Sequence, residues 1–159
     1  MRLTIAAVGH GRGTPEAALC EDFIGRARAL GRQAGVTQIA LEEVPLSKLR
    51  ESRARRAEEG ERLARRIPQG AHVLLLDPRG ANMTSEIFAE QLAGLRDAAT
   101  RDLAFVIGGP DGLDPQALGA AGSLAFGAQT WPHLLVRAML CEQIYRGLTI
   151  LCRHPYHRA

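Results

Sequence analysis

DLAFVIGGPDGL (residues 102–113) joins an apolar run to a glycine-rich turn. A run that is apolar throughout, without alternation, is typical of a strand in a parallel sheet whose two faces are both covered. The run HVLLLD (72–77) has the same character. Together they predict an α/β fold, with a mostly parallel sheet and helices on both of its faces.

Strands and helices alternate along the rest of the chain. Three more apolar runs predict strands, at LTIAAV (3–8), TQIALEEV (37–44) and SLAFG (123–127). Helices are predicted between them and after them, with proline or threonine at their starts, over residues 15–34, 84–99, 114–121 and 132–148. The 159 residues, 46% of them hydrophobic, suit one domain over 1–159 with a core of its own.

The most charged segment is KLRESRARRAEEGERLARR (48–66). Three pairs lie four residues apart with the glutamate first: Glu51 with Arg55, Glu58 with Arg62, and Glu61 with Arg65. This spacing favours an exposed, salt-bridged helix, and contact with RNA is a secondary interpretation for part of it. The net charge of +3 permits a nucleic-acid partner without requiring one.

The lengths of the apolar runs and the number of cysteines indicate the cellular compartment. The first apolar stretch breaks off at Gly9, too early for a signal peptide, and no run approaches the length of a membrane span. The three cysteines form no CxxC pair, and their odd number argues against a disulfide framework. We therefore expect a cytoplasmic protein that has no membrane partner.

The segment VGHGRGT (8–14) follows the first strand and opens a helix, which is where a dinucleotide-binding turn would lie. The third glycine of that motif is replaced by Thr14. The nearest carboxylates, Glu42 and Glu43, come about thirty residues later, where about twenty are expected. A structural turn is the favoured interpretation, with a nucleotide-dependent small-molecule enzyme as an alternative.

Two other loops also follow strands, at the edge where open α/β sheets bind ligands. Gly108 and Gly109 would let a ligand approach the backbone, although Pro110-Asp111-Gly112 is also a good type I turn by itself. Trp131, after the fifth strand, is either a core residue or the wall of a pocket for an aromatic ring.

The chain closes with CRHPYHRA (152–159), a tail rich in ring and guanidinium groups. A metal site is disfavoured, because Pro155 stiffens the short spacing between the candidate ligands and no fourth ligand precedes them at a suitable distance. Arginine can bind phosphate, tyrosine can stack on a base and histidine can handle a proton. The tail therefore fits a nucleic-acid contact, and no metal is expected.

Six segments together resemble the bacterial ribosomal RNA large-subunit methyltransferase H family. They are LTIAAVG, AEEGERL, HVLLLDPRG, VIGGPDGL, FGAQTWPHLLVRAMLCEQIYRG and HPYHR, in the order and at the spacing seen in that family. The resemblance covers essentially the whole chain, and the motifs are specific in combination.

This resemblance implies an S-adenosylmethionine-dependent enzyme of the SPOUT class, a homodimer whose C-terminal part forms a trefoil knot. The implied reaction is methylation of N3 of a pseudouridine in 23S ribosomal RNA, in the stem-loop that bridges the ribosomal subunits. Its substrate would be the large subunit or the assembled ribosome. The alternative is a non-catalytic protein that binds the ribosome and has a degenerate cofactor pocket.

The family pattern also assigns residues. It implies a cofactor site made of Leu76, Gly108, Gly109, Phe126, Gly127, Ala128, Gln129, Thr130 and Trp131. It implies that the tail of one subunit reaches the cofactor of its partner and contacts the target nucleotide through His154, Tyr156, His157 and Arg158. A tail histidine would accept the N3 proton, or Arg158 would stabilise the developing anion. Arg137 and Glu142 would support the site, or form a helix-face salt bridge or a dimer contact.

Overall fold

The sheet has five strands, all parallel, in the computed structural model, which describes residues 1–158. They are β1 (Arg2–Val8), β2 (Gln38–Val44), β3 (His72–Asn82), β4 (Asp102–Ile107) and β5 (Gly122–Ala125), arranged in the order β2-β1-β4-β3-β5. Strands β1 and β4 are central, which explains why their sequences are apolar without alternation. The predicted α/β class is confirmed.

Four helices cover the sheet: α1 (Pro15–Gly31), α2 (Ser52–Ala64), α3 (Ser85–Asp97) and α4 (His133–Leu151). The hydroxyls of Thr14 and Thr84 cap α1 and α3 by accepting backbone N–H groups of the first helical turn. Helices α1, α3 and α4 pack on one face of the sheet, whereas α2 and the segment after β4 pack on the other. No helix within residues 1–158 is both long and apolar enough to cross a membrane.

Alternate residues of the central strands supply the two cores. Ile5 and Phe105 face the larger core under α1, α3 and α4, whereas Val8 and Val106 face the smaller core that Leu63 of α2 completes. Each of these large side chains contributes about 1.5–3 kcal/mol through its burial. The sheet is thus held rigidly from both sides, and the edge formed by its carboxyl ends is fixed in position.

The helix predicted over residues 114–121 is wrong. A single turn forms there and stops at Gly119, whose φ is +59°. Gly119 N–H donates to Gln116 O (3.1 Å) and Ala120 N–H donates to Pro115 O (3.0 Å). This pair of bonds is the Schellman arrangement, in which a glycine with positive φ ends a helix.

Strand β3 is longer than predicted and reaches Asn82. Its pairing with β5 shifts register between Leu76 and Ala81. At Gly80 the two strands approach so closely that a Cβ atom would lie 2.6 Å from the Leu124 carbonyl carbon, so only glycine fits. The extension carries β3 past the edge of the sheet and beside the loop that follows β5.

Candidate functional site

A cavity of about 550 Å³ opens at the carboxyl edge of the sheet, between the ends of β3, β4 and β5 and the start of α4. This volume is in the usual range for small-molecule sites. Eight of the nine residues predicted to hold a cofactor line it: Leu76, Gly108, Gly109, Phe126, Gly127, Gln129, Thr130 and Trp131. Ala128 does not, because the side of the loop that faces the cavity is formed by its neighbours.

The loop after β4 forms one wall. Gly112 N–H donates to Gly109 O (3.0 Å), which confirms the predicted turn. A Cβ atom on Gly108 would lie 2.7 Å from Leu113 Cγ, so this glycine lets the loop fold against its own leucine. Asp111 at the tip accepts two hydrogen bonds from Arg55, at 2.6 and 2.8 Å. The predicted pairing of Arg55 with Glu51 is therefore wrong, and Arg55 instead ties the loop to α2.

The loop after β5 forms the opposite wall. Gly127, with φ +93°, donates its N–H to Asn82 Oδ1 (2.8 Å) on the extension of β3. The indole N–H of Trp131 donates to Phe126 O (2.9 Å) and closes the loop on itself. Trp131 is 39% exposed and lines the cavity, so the core interpretation is wrong, and the binding of an aromatic ring beside it stays a prediction.

Two titratable side chains that the sequence analysis did not assign also line the cavity, Asp77 and His133. Hydrogen bonds from Arg79 hold the pKa of Asp77 below its ordinary value. Burial, followed by the charge of Arg137, lowers the pKa of His133. The cavity therefore holds an ionised carboxylate and a neutral imidazole near pH 7. Asp77 was detectable in principle, since it closes a buried strand at the ligand-binding edge.

Arg137 lies behind the cavity, with 3% of its side chain exposed. Its Nη2 donates to Val8 O (3.0 Å) and Gly9 O (2.8 Å), and its Nη1 donates to Glu43 Oε1. Glu43 also accepts the Gly11 N–H (2.9 Å). Arg137 is thus neither a helix-face salt bridge nor an exposed group, and it joins α4 to the ends of β1 and β2.

This arrangement explains the glycine-rich turn after β1. A Cβ atom on Gly9 would lie 2.8 Å from His133 Nε2, and one on Gly11 would lie 3.4 Å from Arg137 Nη1. Gly9, whose φ is +89°, therefore makes room for His133 at the start of α4, whereas a side chain on Gly11 would be at ordinary contact distance. A smaller cavity at this turn is lined by Glu16, Glu21 and Glu43 as well as by two arginines. Three carboxylates would repel the negative charge of a pyrophosphate, which argues against the dinucleotide alternative.

Stability is expected to fall in acid through Glu43. Burial raises the pKa of this carboxyl, but the Gly11 N–H and the charges of Arg137 and His10 outweigh it, and the pKa lies below the ordinary 4.5. Because the folded-state pKa is lowered, the contribution of Glu43 is complete above pH 4.5 and is lost as the pH falls through the folded-state value. Urea unfolding from about pH 6 to about pH 3 checks this, with Glu43→Gln expected to flatten the acid limb. An unchanged pH profile in that variant would contradict it.

Helix α2 is only partly the exposed helix that was predicted. The pairs Glu58–Arg62 (2.7 Å) and Glu61–Arg65 (3.8 Å) form as expected. Glu59, in contrast, is 1% exposed and accepts the Ser47 N–H through Oε1 (2.8 Å). Its Oε2 has no hydrogen-bond partner and would lie 2.7 Å from a Cβ atom on Gly109. The inner side of α2 therefore supports the loop that walls the cavity.

The tail folds back onto α4 and α3. The Tyr156 ring packs against Tyr145 (centroids 4.6 Å apart), with the Arg146 guanidinium 4.9 Å from its centroid. Its hydroxyl donates to Glu142 Oε1 (3.0 Å), and burial raises the pKa of Tyr156. His157 Nε2 lies 2.9 Å from an oxygen of Glu86, although neither ring nitrogen is in hydrogen-bonding geometry.

The tail and the cavity are separate within one chain. His154 and Arg158 are exposed, and none of the tail residues through Arg158 lines the cavity. Glu142, whose role was left open, binds Arg146 (2.9 Å to Nε) as well as Tyr156, and so belongs to the tail side. The structure thus gathers the predicted cofactor residues together and leaves the predicted nucleotide-contacting residues outside that group.

Comparison with known proteins gives a consistent result. The family described as "Predicted SPOUT methyltransferase" matches residues 1–157. Curated relatives named "Ribosomal RNA large subunit methyltransferase H" include that of Paracoccus denitrificans, 48% identical over 99% of both chains, and that of Hyphomonas neptunium, 48% identical over 100% of both. The protein of the same name from Xanthobacter autotrophicus is 46% identical, again over the full length of both chains.

Proposed function

The chain belongs to the SPOUT methyltransferase family, and we propose that it transfers a methyl group from S-adenosylmethionine to N3 of a pseudouridine in 23S ribosomal RNA. The substrate is the large subunit or the assembled ribosome in the cytoplasm, and the active form is a homodimer. The observation that carries this proposal is the cavity at the sheet edge, because eight of the nine residues assigned to the cofactor by family resemblance converge on it.

The chemistry of the cavity fits that cofactor. Leu76, Ile107 and Leu124, from three strands, together with Leu113 from the loop after β4, give the cavity an apolar lining that suits an adenine ring. Asp77 places an ionised carboxylate at the rim, and no lysine or arginine is among the described residues that line the cavity. Arg79 pairs with Asp77 (3.0 Å to each oxygen), so the carboxylate is partly neutralised, and a ligand that carries sulfonium and ammonium groups would compete with Arg79 for it.

When bound, S-adenosylmethionine supplies an electrophilic methyl group on sulfur. The protein's task is then to hold donor and acceptor in line, which the two tied-down loops do without a metal or a covalent residue. The Arg55–Asp111 pair fixes one loop, and the bonds at Asn82 and Trp131 fix the other.

The N3 proton has to leave during the reaction. We assign its handling to the tail, where His154 or His157 accepts it or Arg158 stabilises the anion that forms. Because the tail does not line the cavity of its own chain, the assignment requires a second copy, whose tail completes the site. The separation of tail and cavity thus supports a composite active site in a dimer.

Isothermal titration with S-adenosylmethionine, S-adenosylhomocysteine and NADH tests the proposal, followed by methylation of unmodified ribosomes. Binding of the first two ligands, together with transfer to the pseudouridine, is the expected result. Binding of NADH alone would overturn the assignment in favour of the nucleotide-dependent alternative. Ribosome binding without methyl transfer would favour the non-catalytic alternative.

Substitution of Gly108 by alanine tests the cavity wall. The new Cβ would lie 2.7 Å from Leu113 Cγ, so the loop has to move and the cavity changes shape. We expect the affinity for S-adenosylmethionine to fall by about tenfold or more, the usual cost of overpacking by a methyl group being about 1–3 kcal/mol. Calorimetry measures the change.

Gly94→Ala in α3 is the matched control. A Cβ atom there meets nothing within 4 Å, and the helix gains about 0.5–1 kcal/mol of stability from the lost glycine. Its affinity for the cofactor is expected to equal that of the wild type. Equal affinity in the Gly108 variant as well would remove the loop from the proposed site.

A further inference from the structure

The cationic side chains of α2 and the segment before it divide into two groups. Arg55 and Arg62 are half-buried. Arg55 binds Asp111, and Arg62 binds Glu58 and the Pro45 carbonyl oxygen. Four others are exposed and form no ion pair within residues 1–158: Lys48, Arg50, Arg53 and Arg56. Arg55 and Arg62 are thus engaged within the fold, whereas the outward four have no ion-pair partner among residues 1–158.

Charge compensation around these four residues is incomplete. Glu58 is engaged by Arg62 and Ser47, Glu59 is buried, and Asp111 is held by Arg55. Glu51 is the remaining exposed carboxylate in the segment, so four cations face one anion. The end of the same helix differs, since Arg65 and Arg66 lie within ion-pair distance of Glu61 and Glu42.

The position of this surface connects it to the candidate site. Asp111, the acceptor for Arg55, is the tip of the loop whose neighbours Pro110 and Gly112 line the cavity. Arg56 is close enough to contribute to lowering the pKa of Asp111, after the larger effect of Arg55. The helix that carries Arg53 and Arg56 is therefore tied, through Arg55 and Asp111, to the loop that walls the cavity, on the face of the sheet opposite α1, α3 and α4.

We propose that Lys48, Arg50, Arg53 and Arg56 form a basic ridge that binds RNA phosphates and holds the substrate beside the cavity. The inference rests on the proposed function, which makes RNA the substrate. Guanidinium groups bind phosphate oxygens in a bidentate manner, and three of the four cations are arginine. Arg53 and Arg56 lie three residues apart, so they share one helix face about 4.5 Å apart along the axis. Contacts of this kind position the RNA without reading its sequence.

The ridge can be tested by removing Arg53 and Arg56 together. The ridge variant carries Arg53→Ala and Arg56→Ala. The control is a second double variant, Arg65→Ala with Arg66→Ala, which loses the same number of charges at the end of the helix where the arginines are paired. Filter binding to unmodified ribosomes is measured from about 50 to about 200 mM salt. We expect the ridge variant to bind on the order of tenfold more weakly at low salt, and its logarithmic salt slope to fall by about two.

Three outcomes decide the proposal. Equal losses in the two double variants would overturn it, because they would indicate a general effect of net charge. Weaker binding with an unchanged salt slope would also overturn it, in favour of a protein contact through Leu46 and Leu49, which are 44% and 47% exposed. A loss confined to the ridge variant, with the reduced slope, supports it.

The same proteins separate this proposal from the proposed function. If the wild-type protein methylates ribosomes and the ridge variant keeps the salt slope of the wild type, the ridge proposal is overturned and the proposed function stands. If the wild-type protein transfers no methyl group, but its binding to ribosomes is weakened in the ridge variant with the reduced salt slope, the proposed function is overturned and the ridge proposal stands. The affinity of the ridge variant for S-adenosylmethionine is expected to equal that of the wild type, since neither arginine lines the cavity.

Discussion

A chain that ends at Arg153 is expected to lose methyl transfer to ribosomal RNA by at least about a hundredfold, the usual contribution of a positioned acid–base group. Its affinity for S-adenosylmethionine is expected to stay close to that of the wild type, because the tail does not line the cavity. Ribosome methylation and calorimetry measure the two quantities. The physical reason is that the groups assigned to the target nucleotide lie in the tail, whereas the proposed cofactor site lies at the sheet edge.

Folding has to be controlled, since the truncation removes the Tyr156 ring from Tyr145 and Arg146. The single variants His154→Ala and Arg158→Ala serve this purpose, because both side chains are exposed and their loss should leave the thermal midpoint unchanged. Full activity in both single variants and in His157→Ala would contradict the assignment of the tail. A fall in cofactor affinity that matches the fall in activity would contradict it as well.

Replacing Arg137 with methionine is expected to lower the free energy of unfolding by about 3–5 kcal/mol, the range for breaking one side of a buried ion pair. The variant leaves Glu43 without its cation, and it leaves the carbonyls of Val8 and Gly9 without their donor. Because these groups lie on β1, β2 and α4, the loss affects the junction of three elements. Urea unfolding followed by circular dichroism gives the value.

Arg65→Met is the matched control on an exposed pair, and its effect should stay within about 0.5 kcal/mol. The double variant Arg137→Met with Glu43→Leu should recover part of the loss, since it leaves no charge unpaired at that site. A change below about 1 kcal/mol in Arg137→Met would show that the buried pair contributes little to stability.

The sequence predicted the elements that depend on near neighbours. β4 was predicted to the residue, and the Thr84 cap of α3 was predicted too, because apolar runs and capping residues act within a few positions. The helix expected over 114–121 failed for an equally local reason. Gly119 adopts a positive φ that proline and aspartate signals at the helix start do not reveal.

Family resemblance identified eight of the residues that line the cavity, but it gave neither the packing that places them there nor the other residues around them. Gly108 was expected to make room for a ligand, and the structure shows that it first makes room for Leu113. His133 was not assigned, because it becomes a cavity residue only when the start of α4 packs beside the strand ends, whereas Asp77 could have been found from its place at the end of a buried strand.

Length, composition and apolar patterning by themselves predicted the α/β class, the parallel sheet and the edge of the sheet at which the cavity opens. Helical spacing also predicted the pairs Glu58–Arg62 and Glu61–Arg65, and only the tertiary structure decided the charged partners that are distant in sequence. Arg55 binds Asp111, 56 residues away, and Arg137 reaches Gly9 across 128 residues, pairings that no helical spacing predicts. The physical reason is the sequence distance over which each kind of interaction acts. Secondary structure follows from propensities and periodicity within a few residues, whereas a buried charge takes whichever partner the packed strands bring within hydrogen-bonding distance.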